Sequence, residues 1–193
     1  TQSRLSAASD VYKRQVYDGC HNSTQCIEEI EVKDLKPPTP YCIHLSTALM
    51  QVPVGAPAGS APMVEIWARD FDRGSTDFCT DQQDLKFTFN NWLPNADRIN
   101  SEHYFDAAGK EYDITASNTI KYNAGEYQRW LPSQKSSSMI FTKANLPGVT
   151  LKMSVIDWNN NVDYCSVDLR LVCNDPINCP PGSATRIAGN VHT

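Results

Sequence analysis

Apolar and polar residues alternate along much of this chain. Val64-Glu65-Ile66-Trp67-Ala68, Leu85-Lys86-Phe87-Thr88-Phe89 and Val149-Thr150-Leu151-Lys152-Met153-Ser154-Val155 each switch character at nearly every position, the pattern of a strand with one buried face. No comparable helical stripe runs beside them. Turn-forming clusters at Asp72-Arg73-Gly74-Ser75, Ala108-Gly109-Lys110 and Leu146-Pro147-Gly148 separate the runs. Many short strands broken by turns predict an all-β chain, with an antiparallel β-sandwich as its architecture. Val64, Ile66, Ala68, Leu85, Phe87, Phe89, Leu151, Met153, Val155, Val167, Leu169 and Leu171 would line the inner faces. Burying a large one of these contributes about 1.5–3 kcal/mol before conformational entropy is set against it.

Two further alternating strands disclose a repeat. Asp18-Gly19-Cys20-His21-Asn22 leads through Cys26 into Ile27-Glu28-Glu29-Ile30-Glu31-Val32, and Asp157-Trp158-Asn159-Asn160-Asn161 leads through Cys165 into Ser166-Val167-Asp168-Leu169-Arg170-Leu171. Asp157, Asn161 and Cys165 each stand 139 residues after Asp18, Asn22 and Cys26. A proline-bearing link and another cysteine follow each strand: Lys36-Pro37-Pro38-Thr39-Pro40-Tyr41-Cys42 in one copy, Asn174-Asp175-Pro176-Ile177-Asn178-Cys179 in the other. A period this long means tandem domains, since solenoid repeats are several-fold shorter. Proline-dense links cannot continue a sheet and act as short, semi-rigid spacers, so they mark the expected boundaries. Residues 16–36 would be the closing hairpin and linker of a preceding domain, 37–173 a whole domain, and 174–193 a linker and first strand of a following one. Residues 1–15 are set aside as adapter-derived or a disordered tail, because Ser6-Ala7-Ala8-Ser9-Asp10-Val11-Tyr12-Lys13-Arg14-Gln15 closely matches one reading frame of a common sequencing adapter. A chain beginning in such a segment is not expected to show a signal peptide.

Composition narrows the classes. The 193 residues have a mean hydropathy of -0.45, and no window approaches the eighteen or so continuous apolar residues of a membrane helix, so no membrane span is expected. Lys+Arg 17 against Asp+Glu 22 gives a net charge of -5, which argues against nucleic acid as a partner. Seven cysteines point to an oxidising compartment, although an odd number cannot all pair within the chain.

The pattern Asp-x-x-x-Asn-x-x-x-Cys before an alternating strand, followed by Pro-Pro-x-x-x-Cys, resembles the hyalin-repeat (HYR) and related immunoglobulin-like modules strung together in large secreted bacterial surface proteins. The stretch Val64-Glu65-Ile66-Trp67-Ala68-Arg69-Asp70-Phe71-Asp72-Arg73-Gly74-Ser75, with Asp77-Phe78-Cys79-Thr80 after it, is similar to the strand and Asp-Asn-Cys-like turn of such modules. Ala184-Thr185-Arg186-Ile187-Ala188-Gly189-Asn190-Val191-His192 resembles the opening strand of carboxypeptidase-regulatory-like sandwich domains. Two departures stand out: residues 91–137 form a long polar insertion, and Lys143 stands where related modules often carry a cysteine. The resemblance implies an immunoglobulin-like sandwich, extracellular or at the cell surface, with neighbouring domains of the same chain as partners. It also implies first and last strands that run side by side and parallel, which makes Cys42–Cys165 the preferred disulfide. Cys26 and Cys179 would then pair within neighbouring domains. Cys20–Cys26 and Cys173–Cys179, each six residues apart across a turn, are the alternatives. Cys79 has no obvious mate if Lys143 has replaced it.

Candidate chemistry is sparse. His21, His44, His103 and His192 are scattered, with no His-Glu-x-x-His spacing, Gly-x-Ser-x-Gly elbow or phosphate-cradling glycine loop, so no catalytic activity is expected. No Cys-x-x-Cys pair suggests zinc. Asp157, Asn159, Asn161 and Asp163, with Asp168 in the twelfth position, follow the oxygen-rich order of a calcium loop. Asp70, Asp72 and Asp77, with Asp81 and Asp84, form a second candidate calcium cluster. Both sets equally suit side chains that hydrogen-bond their own turns. Apart from calcium no cofactor is expected. Trp92, Tyr122, Tyr127 and Trp130, with Tyr104 and Tyr112, gather in the insertion, where exposed coplanar rings would stack on sugars and inward-packed rings would anchor the loop. The function expected is therefore a non-catalytic extracellular spacer or adhesion module of a multidomain protein, with a polysaccharide or another surface protein as partner. A carbohydrate-binding module and an accessory domain of a secreted hydrolase are the alternatives.

Overall fold

A computed structural model describes residues 8–52, 55, 60–113, 115 and 126–173. Tyr122, Cys179 and the whole of 174–193 lie outside the described residues. The chain divides into two compact units, residues 1–36 and residues 37–193.

The first unit contains one antiparallel hairpin, β1 (Ala8–Tyr17) against β2 (Ser23–Val32), in register from Ala8 opposite Val32 to Tyr17 opposite Ser23. Residues 8–15, part of the segment expected to be adapter-derived or a disordered tail, make most of β1. Cross-strand pairing with β2 organises them, a contact that a local reading of composition does not reveal. Tyr12, Val16, Tyr17, Ile27, Ile30 and Val32 are exposed within this unit.

The second unit is all-β. Its strands are β3 (Leu45–Met50), β4 (Met63–Trp67), β5 (Lys86–Phe89), β6 (His103–Asp106), β7 (Glu111–Asp113), β8 (Tyr127–Leu131), β9 (Ser136–Thr142), β10 (Gly148–Ile156) and β11 (Val162–Cys173). The order β3-β11-β10-β5 continues through one parallel bridge, Phe87 to Ser136, into β9, β8, β6 and β7, with β4 on the other flank of β9. The result is a sandwich-like arrangement around one core. Every alternating run of the sequence falls in a strand, with Ala68 and Leu85 just outside. Ile66, Ala68, Leu85, Phe87, Phe89, Met153, Val155, Val167, Leu169 and Leu171 are buried in that core, and Val64 and Leu151 pack against it half-buried. Phe71 and Phe141 join them.

Strand β5 departs from the expected alternation, since Lys86 and Thr88 are buried along with Phe87 and Phe89. The insertion explains the second covered face. It folds into β6, β7 and β8 and buries His103, Tyr104, Phe105, Gln128 and Trp130. Gln128 takes the place of a ladder strand: its Oε1 accepts from the Phe89 N–H (3.0 Å) and its Nε2 donates to the Phe89 carbonyl (2.8 Å), while Ser137 Oγ donates to Oε1 (2.6 Å). Phe89 faces Met153 of β10 on one flank of β5, and the Gln128 amide satisfies its buried N–H and carbonyl.

The hairpin of β10 and β11 reproduces that of β1 and β2. Ser9 opposite Glu31 through Tyr17 opposite Ser23 corresponds, at the same offset of 139, to Gly148 opposite Arg170 through Ile156 opposite Val162. The turns agree atom for atom. Asp18 accepts from the Asn22 N–H (2.9 Å) and Nδ2 (2.8 Å), and Asp157 accepts from the Asn161 N–H (2.8 Å) and Nδ2 (2.7 Å). His21 (φ 70) and Asn160 (φ 65) share the left-handed backbone position. Burial separates the copies: Val155, Ile156, Leu169 and Leu171 are covered, whereas their counterparts Val16, Tyr17, Ile30 and Val32 are not.

Cys42 and Cys165 form a disulfide across a separation of 123 residues. Beyond it β3 runs parallel to β11, from Leu45 beside Leu169 to Met50 beside Cys173. The alternative Cys20–Cys26 is not formed, and both are exposed thiols. Cys26 lies in β2 opposite Arg14 rather than facing the turn that carries Cys20. Cys173 is disulfide-bonded.

Candidate functional site

The acidic residues proposed for calcium serve their own turns. Asp157 is fully buried, with Oδ1 and Oδ2 both engaged by Asn161, and Asp163 Oδ1 accepts from the Tyr164 N–H (2.8 Å). Asp70 accepts from the Trp67 N–H, Asp72 from the Ser75 N–H and hydroxyl, and Asp77 from the N–H groups of Cys79 and Thr80. Backbone donors hold these carboxylates in their turns, and the turns of Asp77 and Asp157 bring a carboxylate oxygen of each within 4.8 Å of the other. Asn159 is an exposed residue of the β10–β11 turn.

Among the described residues, the insertion's aromatic rings do not form a coplanar platform. Trp130 is 1% exposed, and its Nε1–H donates to the Ile99 carbonyl (2.8 Å). Trp92 meets Phe105 edge-to-face at 6.4 Å, and Tyr127 meets Tyr112 in the same way at 5.6 Å. Trp130 is thus buried, and these ring pairs meet edge-to-face rather than lying coplanar.

A cleft of about 640 Å³ opens instead where the start of β5, the segment after it and the β10–β11 turn meet. Lys86, Ile99, Asn100, Trp130, Trp158 and Asn160 are among its walls. Lys86 is 8% exposed, and its Nζ donates to the Asp157 carbonyl (3.2 Å) and to Asn160 Oδ1 (3.3 Å), both neutral oxygens. The ammonium lies 5.8 Å from the centroid of Trp158, whose ring is half exposed. Burial lowers the Lys86 pKa from its ordinary value, with Asp157 opposing that shift and Lys135 adding to it. On the rim, Lys135 is ion-paired with Asp84. No family model, curated protein or solved structure matches this chain. The cleft's chemistry is accordingly read from its own residues. Lys86 was hidden in the sequence because it occupies an outward position of an alternating run. Trp158 had one signal, a large apolar ring in the otherwise polar turn Asp157-Trp158-Asn159-Asn160-Asn161.

His103 is a second buried ionisable group, away from the cleft. Its Nδ1 donates to the Ser101 carbonyl (2.8 Å), which leaves Nε2 as an acceptor without a hydrogen-bond partner among the described residues. Burial pushes its pKa below the ordinary 6.5, opposed by the Ser101 hydrogen bond and by Glu111. A histidine held neutral by the fold binds a proton more readily when unfolded, so its contribution is complete above about pH 6.5 and declines as pH falls below that value. Melting temperature is therefore expected to fall more steeply between about pH 7.5 and 5.5 in the native chain than in His103→Gln. Equal slopes in the two chains would show that His103 is not held neutral.

Proposed function

We propose that residues 37–173 are a non-catalytic, immunoglobulin-like module of an extracellular or cell-surface protein, a spacer that carries tension between neighbouring domains. One observation carries this reading: the chain enters at Cys42 and β3, leaves along β11, and those strands are parallel neighbours next to a disulfide. Once the bridge is reduced, pulling the two ends apart drives β3 and β11 past each other along their length. Their hydrogen bonds then load together, whereas a hairpin pulled from its open end breaks them one at a time. The bridge diverts the pull from Cys42 straight to Cys165, so the chain between them bears none. The duplicated hairpin supports modules of one kind arranged in series, in the manner of the hyalin-repeat modules that the sequence resembles. Engagement of the acidic groups by their own turns supports a role without catalysis.

Alkylation before reduction tests the compartment and the bridge together. In protein recovered from its native source, Cys42 and Cys165 are expected to stay protected and appear as one cross-linked peptide pair. Full labelling of Cys42 and Cys165 would contradict an oxidised extracellular module.

A further inference from the structure

We propose that the hairpin of β1 and β2 is an acceptor for a strand from a module of the same construction, which docks parallel to β2 along its outer edge and carries a cysteine that bonds to Cys26. The site rests on the reading that modules of one kind stand in series, but not on the tension they bear.

The hairpin has a bare edge and a bare apolar face. Among the described residues β1 is the only sheet neighbour of β2, and every residue of β2 is exposed. Two strands alone are marginally stable in water, and a long uncovered edge is a template for pairing with another strand. Side chains alternate between the faces of a sheet, so the register of the hairpin puts Tyr12, Val16, Cys26, Ile30 and Val32 on one side. The four apolar residues of that set are exposed.

The second hairpin shows what such a face takes. At the offset of 139, Tyr12, Val16, Ile30 and Val32 correspond to Leu151, Val155, Leu169 and Leu171, which lie in the core or pack against it. The outer edge of β11 is filled by β3 running parallel to it. Cys165, the counterpart of Cys26, is bonded to Cys42, just ahead of β3. Cys20 has no such model, because its counterpart is Asn159, an exposed turn residue. Arg14 and Glu28 stand where Met153 and Val167 are buried, so the incoming module supplies polar partners for one charge of each sign.

Cys26 is an exposed thiol, and it bonds by exchange with a small-molecule disulfide of an oxidising compartment. The incoming cysteine carries the small thiol as a mixed disulfide. The Cys26 thiolate attacks the incoming sulfur, a new S–S bond forms, and the small thiol leaves with the electron pair.

A peptide of the chain's own sequence Tyr41–Gln51, its cysteine carried as the mixed disulfide with glutathione, tests the acceptor on the full chain. Peptide mapping should find it on Cys26 in about tenfold preference to Cys20, because docking raises the concentration of its sulfur beside Cys26 alone. A peptide with residues 43–51 scrambled should label the two cysteines alike. In the captured product the β2 amides should gain protection from hydrogen exchange. Ile30→Glu, a change at an exposed position, should lower capture at Cys26 to that of the scrambled peptide. Equal labelling of Cys20 and Cys26 by the native peptide, or equal capture of native and scrambled peptides, would overturn the acceptor. So would Cys26–Cys26 dimers that displace the peptide, since they would assign the face to a second molecule of this chain. The Cys42–Cys165 bridge takes no part in this exchange, so its alkylation result decides the spacer reading separately.

Discussion

Replacing Cys42 and Cys165 by serine is expected to lower the unfolding free energy of residues 37–173 by about 5 kcal/mol. The bridge closes a separation of 123 residues, and a loop of that length loses much of its freedom in the unfolded chain. Stabilities of single domains run to about 5–15 kcal/mol, so the loss is a large share of the total. Urea unfolding of oxidised and serine-substituted chains measures it, and the slope should steepen without the bridge because the released chain exposes more surface. A change below about 1 kcal/mol would mean that the unfolded chain remains compact without the bridge.

Gln128→Met is expected to cost about 3–5 kcal/mol, far more than the change in size suggests. The substitution keeps an unbranched side chain but leaves the Phe89 N–H and carbonyl and the Ser137 hydroxyl buried without their partner. Each such orphan costs about 1–3 kcal/mol. Ser137→Ala, which removes a single donor from the same cluster, should cost about 1 kcal/mol. Denaturant midpoints for the two variants check the contrast, and equal effects would remove the strand-like role assigned to the Gln128 amide.

These effects mark the boundary between what is local and what is tertiary. Alternation located β2, β4, β5, β10 and β11, because a strand with one wet face writes its period into the chain. The 139-residue offset foretold that two turns would share one construction, since Asp and Asn four residues apart close the same loop wherever they occur. The disulfide followed from the family resemblance and the parallel closing strands. Lys86 could not be read as buried, because the groups around its ammonium, Asp157, Trp158 and Asn160, stand more than seventy positions away. Trp130 and Trp158 are chemically identical and both line the cleft, yet one is buried and the other half exposed. Only the packing of distant segments separates the buried ring from the exposed one.

The length released under tension tests the module's mechanical role most directly. With the full chain held by its two ends, unfolding of residues 37–173 should lengthen the oxidised chain by about 400 Å less than the reduced chain, since at about 3.3–3.6 Å per residue the bridge withholds the 123-residue span. The reduced chain should also yield only at forces above those that unzip the hairpin of β1 and β2. Equal extension before and after reduction, or a reduced unit that opens as easily as the hairpin, would contradict a disulfide-clamped spacer loaded along parallel strands.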